Sequence, residues 1–478
     1  MGLALATSEP PRDWDVEDIT VTEPNVIRRA IGAAAIGNVT EWYDFGVYAY
    51  FAPTIEKVFF SGMGHTTGII ATMGLFAVSF LVRPIGGMFF GPLADRIGRN
   101  KVLATTMILM ALGTFCIGII PSSNSIGIVA PLLLLAARLV QGFSTGGEYG
   151  NAMTFIAEYA PDRRRGFFGS WLEFGTFTGY LMGAIAVTIA DATLSQSALL
   201  SWGWRIPFFV ALPLGIVGVY LRTKLADTPA YLELEKQAEQ QEQHADTKGE
   251  FKRIFRLWPY MLVCMALVAA WNVPNYMLTS YMPTYLTSAL PHLQKNGAGT
   301  SAHTSEILQI IVMAILLVLI PVLGWLSDKV GRKPIVWVGS IGFILLAFPS
   351  ILLIRSHGTF AIFGGLLIMG VLLICFSSTM PSTLPSLFPT SVRSGGLSIA
   401  FNVSISALAG TTSVVMTTLV NLTHDLNWPA YYLIAFGIVG AVGIFFTQEP
   451  NRRHMWGSAP AAQSREEAEE IVEELAAA

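Results

Sequence analysis

The sequence predicts an all-α membrane protein of twelve transmembrane helices, arranged as two pseudo-symmetric six-helix bundles. Three observations carry this expectation. Hydrophobic residues make up 53% of the chain and charged residues only 13%, with a mean hydropathy of +0.55. A soluble chain of 478 residues needs far more charge to cover its surface. The apolar residues come in runs, and about twenty consecutive ones cross a bilayer as a helix. A short Gly-Asp-Gly-Arg motif also recurs at matching places in the two halves.

Only helices and closed barrels span lipid, because each backbone polar group needs an internal partner there. Barrel strands alternate apolar and polar residues over roughly ten positions. Runs such as Ile310 to Leu323 and Ile362 to Cys375 do not alternate, so helices are predicted. The first half carries spans near 30–55, 66–90, 102–120, 127–156, 166–190 and 206–221. The second carries spans near 257–287, 305–326, 334–354, 359–386, 396–420 and 429–447. The polar stretch from Arg222 to Arg256 separates them. The chain thus divides into an N-terminal segment 1–28, a bundle 29–222, a central loop 223–256, a bundle 257–447 and a tail 448–478.

Lys and Arg set the orientation. With the N-terminus inside, 23 of the 29 fall in cytoplasmic segments, two fall within spans (Arg83, Arg138) and four fall outside (Lys57, Arg205, Lys295, Arg355). This bias places both termini, and with them the central loop, in the cytoplasm. The polar, acidic stretch from Met1 to Arg29 lacks a signal peptide's basic start and apolar core, so no cleavage is expected. A net charge of −3 points to no nucleic-acid partner. Cys116, Cys264 and Cys375 all lie in apolar runs and read as small buried hydrophobes, with no disulfide framework.

The repeat is specific. Gly91, Asp95, Arg96, Gly98 and Arg99 follow the second span, and Gly324, Asp328, Lys329, Gly331 and Arg332 follow the eighth at the same offsets. Pro161 and Arg165 after the fourth span are echoed by Pro389 and Arg393 after the tenth. Two six-helix halves with matching loops are the signature of alternating access by rocking.

The motif G-x-x-x-D-[RK]-x-G-R, present twice in register, resembles the signature of the major facilitator superfamily. "GNVTEWYDFGVYAYF", "FLVRPIGGMFFGPLADRIGR", "RLVQGFSTGGEYG", "PDRRRGFFGSWLEFGT" and "GWRIPFFVALPLGIVGVYLR" resemble its metabolite:proton symporter branch. Within that branch, "NVPNYMLTSYMPTYL", "STLPSLFPT" and "PAYYL" are most similar to the proline/glycine-betaine carriers. The resemblance runs from about Val26 to Phe446. It implies the MFS fold, a bacterial inner (plasma) membrane, and proton-coupled import of a small zwitterionic osmolyte. No cofactor is implied, the energy source being the proton gradient. The partners implied are the substrate, protons and the lipid bilayer, with a monomer as the working unit. Osmosensing relatives carry a long coiled-coil tail. The segment after Arg453 is short and lacks sustained heptads, so osmotic gating of that kind is not expected.

Ionisable groups inside spans are costly and mark function by default. In the first span Asn38, Glu41, Asp44 and Tyr48 are spaced by three and four along one helical face that has no basic residue. That pattern suits reversible protonation of Glu41 or Asp44; the bland alternative is a fixed pair with an arginine. Arg83, Arg138, Glu148 and Glu173 complete the proton and substrate pathway expected in the first half. Arg83 and Arg138 stay charged, so each must face a carboxylate or an anionic substrate group. A quaternary ammonium is held best over aromatic faces. Trp42, Tyr43 and Phe45 in the first span, with Trp271, Asn275 and Tyr276 in the seventh, are the candidate substrate wall. Ordinary packing and interface anchoring compete with that reading for each aromatic residue. Gly142 and Gly146 form G-x-x-x-G, a helix-packing device. The loop motifs are expected to stabilise one gating state through Asp95 and Arg99.

The competing readings are a symporter for an organic acid such as α-ketoglutarate, citrate or shikimate, a uniporter, and a membrane receptor built on a transporter fold. An enzyme is not expected, because no nucleophile–base pair, metal cluster or phosphate loop appears. The seven histidines are expected in loops or tails, solvated.

Overall fold

The computed structural model describes residues 14–97, 99–146, 148–226, 256–293, 301–356 and 358–476. Most of the central loop expected at 223–256 lies outside the described residues. Among the described residues, twelve long helical runs follow the expected spans. In the first half they are α1 (Pro24–Tyr50), α2 (His65–Ile97), α3 (Arg99–Ile119), α4 (Val129–Ser144 continued by Glu148–Tyr159), α5 (Arg165–Thr193) and α6 (Ile206–Ala226). In the second they are α7 (Trp258–Leu293), α8 (Ala302–Val330), α9 (Arg332–Ile354), α10 (Thr359–Thr383), α11 (Arg393–Thr423) and α12 (Trp428–Phe446). Ten of them are long and apolar enough to cross a bilayer; α3 contributes a shorter apolar stretch, Ala104–Ile119. The polar residues of α1 lower its hydropathy. It starts six residues before the expected boundary, with Pro24 in its first turn, where the missing N–H leaves no bond unmade.

The packing makes the internal symmetry physical. In the first half α1 packs on α5 and α6, α3 on α4 and α6, and α2 on α4. In the second half α7 packs on α11 and α12, α9 on α10 and α12, and α8 on α10, each contact displaced by six helices. The halves meet along α5 with α8 and α2 with α11. The same displacement exchanges these two seams, as two halves rocking on a shared axis require. Outward-facing Leu81, Ile85, Val217, Val318 and Leu345 stay exposed, an apolar belt that only lipid can cover.

Two helices at the seam depart from α geometry. Past Pro274, α7 widens into π-helical turns at Met277–Tyr281 and Tyr285–Ala289. In α11 a similar turn spans Ile405–Ala409. Such turns concentrate at functional sites.

The structure is not wholly helical. A two-residue strand β1 (Thr20–Val21) pairs in parallel with β2 (Ala461–Ala462), and a tail helix α13 (Arg465–Ala476) follows. Ile19, Ala462, Ala468 and Ile471 form a small core of their own at the end of the bundle that carries both termini. The tail is therefore ordered and docked, although it makes no coiled coil.

Candidate functional site

Close approach of α2 and α4 sets up the middle of the first half. A Cβ at Gly142 would lie 2.0 Å from the Ser79 carbonyl oxygen, and one at Gly146 would lie 2.0 Å from that of Arg83. The G-x-x-x-G pair therefore seats α4 directly on the backbone that carries Arg83. This brings Arg83 and Arg138 to the same polar layer as α1.

Each α1 carboxylate meets one arginine. Arg83 Nη2 donates to Glu41 Oε1 at 3.0 Å. Arg138 Nη1 lies 3.6 Å from Asp44 Oδ2. Gln141 bridges that second pair: its Oε1 accepts from Arg138 at 2.8 Å, and its Nε2 donates to Asp44 Oδ2 and to Thr114, each at 2.8 Å. All four charged residues are at most 3% exposed. The α1 face has no cation of its own, as expected, but α2 and α4 supply one to each carboxylate. Burying an ion pair is no gain in itself, yet removing one partner costs about 3–5 kcal/mol.

Phe45 separates the pairs. Its ring lies 5.1 Å from the Arg83 guanidinium and 5.7 Å from that of Arg138, so it insulates two charges and is not a wall residue facing the seam. Tyr43 also leaves the expected wall. Its hydroxyl donates to the Pro207 carbonyl at 2.9 Å, on α6, because it sits one helical step away from Trp42. Arg138 is enclosed by first-half groups, with the Tyr48 ring 3.7 Å from its guanidinium. Arg83 is nearer the second half. It lies over Phe80 at 4.7 Å and Trp42 at 5.6 Å, and both rings touch Tyr276 of α7, at 4.9 and 6.1 Å.

An aromatic box bridges the halves around Trp42. Tyr180 of α5 lies 5.4 Å from its ring, and Tyr149 of α4 lies 6.5 Å away. Tyr149 in turn stacks on Phe401 of α11 at 5.1 Å and lies 6.1 Å from Trp271 of α7. Trp271 is tied by its indole N–H to Ser377 at 3.0 Å. Trp42 Nε1, Asn275 Oδ1 and the Tyr276 hydroxyl are buried without a hydrogen-bond partner. Buried polar atoms normally have partners, so these three, with the equally unpartnered Tyr180 hydroxyl, are candidates for contacts that a ligand completes.

Glu173 on α5 accepts from the Tyr149 and Thr176 hydroxyls, and Asn38 of α1 donates to Thr176 at 2.7 Å. Glu148 stands apart: it is half-buried and ten residues beyond Arg138, on the order of 15 Å along the axis. Sequence reasoning missed Tyr149, Tyr180, Phe401, Phe80 and Gln141. A helical-face reading would have found Gln141, three residues after Arg138, and Tyr180, seven after Glu173.

The second loop motif closes the termini end. Asp328 Oδ1 and Oδ2 accept from the backbone N–H groups of Gly166 and Phe167 at 2.7 and 2.8 Å, in the first turn of α5 across the seam. A carboxylate is favoured there because helix N-terminal N–H groups have no partner within the helix. Gly324 lets α8 approach, since its Cβ would lie 2.5 Å from Ser170 Oγ. Gly331 takes φ +95°, which makes the turn into α9. Arg332 lies 3.4 Å from Asp328 and donates to the Pro450 carbonyl at 3.2 Å. For the first copy, Gly91 lies within α2, and Gly98 with the side chains of Asp95, Arg96 and Arg99 lies outside the described residues.

Arg165 and Arg393, the second echo, begin α5 and α11 and are both buried. Arg393 reaches Glu158 of the first half at 2.6 Å. The tail crosses between them: the carbonyls of Pro450, Arg453 and Trp456 accept from Arg332, Arg165 and Arg393. At the far end a cavity of about 410 Å³ is lined by Tyr50, Lys57, His65, Asp191, His292 and Glu306. Three of the described histidines, His65, His292 and His303, lie in helices and not in loops, though all three remain exposed as expected. His65 begins α2 and stands 3.6 Å from Glu56, and its ring is 5.9 Å from that of His292, within α7.

Comparison with known proteins fits this geometry. A family profile described as "Sugar (and other) transporter" matches residues 30–448. The glycine betaine/proline/ectoine/pipecolic acid transporter of Dickeya dadantii is 45% identical over 463 residues, covering 96% of this chain and 91% of that protein. The proline/betaine transporter of Escherichia coli is 44% identical with the same coverage. The ectoine/proline transporter of Corynebacterium glutamicum is 40% identical, covering 96% and 91%. Among solved structures, the proton:xylose symporter of the major facilitator superfamily bound to 6-bromo-6-deoxy-D-glucose superposes with a TM-score of 0.73 at 18% identity, covering 91% of this chain and 98% of that one. The inward open xylose transporter of Escherichia coli gives 0.63 at 19% identity, covering 93% and 99%.

Proposed function

Because the chain belongs to the sugar (and other) transporter family of the major facilitator superfamily, we propose that it imports a small zwitterionic osmolyte, such as glycine betaine or proline, with protons. It works as a monomer in a bacterial inner membrane, by alternating access. It uses no cofactor; the proton gradient supplies the energy. The termini end faces the cytoplasm, following the Lys and Arg bias.

The aromatic box beside Arg83 carries this reading. A betaine's quaternary ammonium has no donor and is attracted to ring faces, which Trp42, Tyr149, Trp271, Tyr276 and Phe401 present from both halves. Its carboxylate needs one cation, and Arg83 lies over Trp42 at the same seam. A dicarboxylate or tricarboxylate needs two or three cations. Arg83 can exchange Glu41 for one substrate carboxylate, but Arg138 is enclosed with Asp44 and Tyr48, and the facing spans of the second half add no positive side chain. The far-end cavity with a sealed termini end corresponds to an outward-facing state, with Asp328 on α5 as the closed gate.

Uptake of labelled glycine betaine and proline into proteoliposomes, with and without an imposed proton gradient, tests the proposal. Gradient-driven accumulation of either, competed by the other and not by citrate or α-ketoglutarate, is expected. Transport of citrate or α-ketoglutarate with no competition from betaine or proline would refute the substrate class.

A further inference from the structure

We propose that Glu173 of α5 is the residue that binds and releases the transported proton, with the Tyr149 hydroxyl as the contact through which movement of the second half changes its hold. This rests on the proton-coupled reading above and assigns its proton to one carboxyl.

Charge balance singles it out among the carboxyls of the central layer; Glu306 of α8, also buried with an unpartnered oxygen, lines the cavity at the far end instead. Glu41 is matched by Arg83 and Asp44 by Arg138, so each pair is neutral as it stands. Glu173 is 1% exposed and has no cationic partner among the described residues. A lone carboxylate in a membrane interior is far costlier than a neutral acid. The groups packed against it do not change this. From α1 come Asn38 and the neutralised Glu41. From α4 come Tyr149 and, half-buried beside it, Glu148. The α10 end packed on α5, Met380–Thr383, has no ionisable side chain, and neither α6 nor α8 carries a charged residue at this depth.

The hydrogen-bond directions say where the proton sits. The Asn38 amide can only donate to Thr176, so the Thr176 hydroxyl is left to donate, and Glu173 Oε1 at 3.0 Å is a nearer acceptor than the Leu172 carbonyl at 3.4 Å. Tyr149 donates to the same oxygen. Oε1 thus has two donors, while Oε2 is buried with no partner. That asymmetry is the pattern of a carboxylic acid with its hydrogen on Oε2. In the transport step the Oε2–H bond breaks, the proton passes to water at the opened termini end, and the carboxylate keeps the electron pair.

Coupling follows from Tyr149. Its ring stacks on Phe401 and borders Trp271, both of the second half, and it is one wall of the box around Trp42. Substrate in that box and rocking of the second half both act on the phenol that holds Glu173.

The test uses proteoliposomes with a lumenal pH dye and labelled glycine betaine. Wild type is expected to take up protons with betaine. Glu173→Gln should keep betaine counterflow, with complete loss of betaine-driven proton uptake and of accumulation against a gradient. Asp44→Asn leaves Arg138 uncompensated and should lose counterflow as well. Coupling in Glu173→Gln equal to wild type overturns the assignment while leaving proton symport intact. Betaine accumulation without proton uptake in wild type sinks both. A second measurement needs no variant. Dicyclohexylcarbodiimide adds to protonated carboxyls in apolar surroundings, and peptide mapping of labelled wild type should find it on Glu173, with betaine altering the rate. Labelling of Asp44 or Glu41 and not Glu173 overturns the proposal.

Discussion

Replacing Asp328 by asparagine should unlatch the termini end by an amount the contacts allow us to work out. The carboxylate accepts two backbone N–H bonds from the start of α5, at 2.7 and 2.8 Å, and faces Arg332 at 3.4 Å. Hydrogen bonds to a charged group are each worth about 1.5–3 kcal/mol net. Asparagine keeps one acceptor oxygen and loses the charge, so about one such bond, roughly 2 kcal/mol, disappears. The bonds join the two halves, so the loss falls on the closed state alone. At 1.4 kcal/mol per tenfold, the closed-to-open ratio should fall about 30-fold. Ser170 reports it: it packs buried against Gly324 at the seam. In a background lacking Cys116, Cys264 and Cys375, Ser170→Cys should react with a water-soluble maleimide about 30-fold faster when Asp328→Asn is added, if labelling follows the open population. An unchanged rate in a folded, membrane-inserted variant would refute the latch. So would a normal opening rate with sharply weakened betaine affinity, which would move Asp328 to the binding site.

The internal symmetry predicts that Asp95 serves the start of α11 as Asp328 serves α5. Asp95→Asn should slow turnover much more than it raises KM, and steady-state uptake kinetics will show which parameter moves. Arg83→Gln should weaken betaine binding more than Arg138→Gln in competition assays, because Arg83 lies over two rings that touch Tyr276 of α7, at 4.9 and 6.1 Å, whereas Arg138 reaches α7 through the more distant Phe76, 6.4 Å from Tyr276. Both arginine variants should lower thermal stability, since each leaves a carboxylate buried alone, at about 3–5 kcal/mol. Gly142→Val has no room, its Cβ meeting the Ser79 carbonyl at 2.0 Å. It should abolish the folded, monodisperse protein in detergent, whereas substitution at Gly364, where the same addition meets nothing, should not.

Much of this protein could be read before folding. Hydropathy sets the spans because lipid admits only closed hydrogen bonding, so twelve helices were legible to within a few residues, apart from the earlier start of α1 and the later ends of α2 and α7, at Ile97 and Leu293. The repeat of Gly324, Asp328, Gly331 and Arg332 with residues 91–99 pointed to two halves, since a motif duplicated with its bundle keeps its glycines at the same offsets. The candidate charges were also visible, because ionisable residues in apolar runs stand out. What sequence could not decide was pairing. Periodicity places Glu41 and Asp44 on one face of α1, but not which arginine each meets; that depends on how closely α4 sits on α2, which Gly142 and Gly146 settle only in three dimensions. Nor could it show that Tyr43 turns to α6, that Phe45 insulates two charges, or that Tyr149 joins Glu173 to Phe401 across 228 residues of chain. Aromatic residues look alike in a membrane sequence, and packing or binding is decided by which neighbour a ring meets at the seam. Glu173 is the sharpest case: one more buried acid in the sequence, it becomes distinct only when the fold hands both arginines to its rivals.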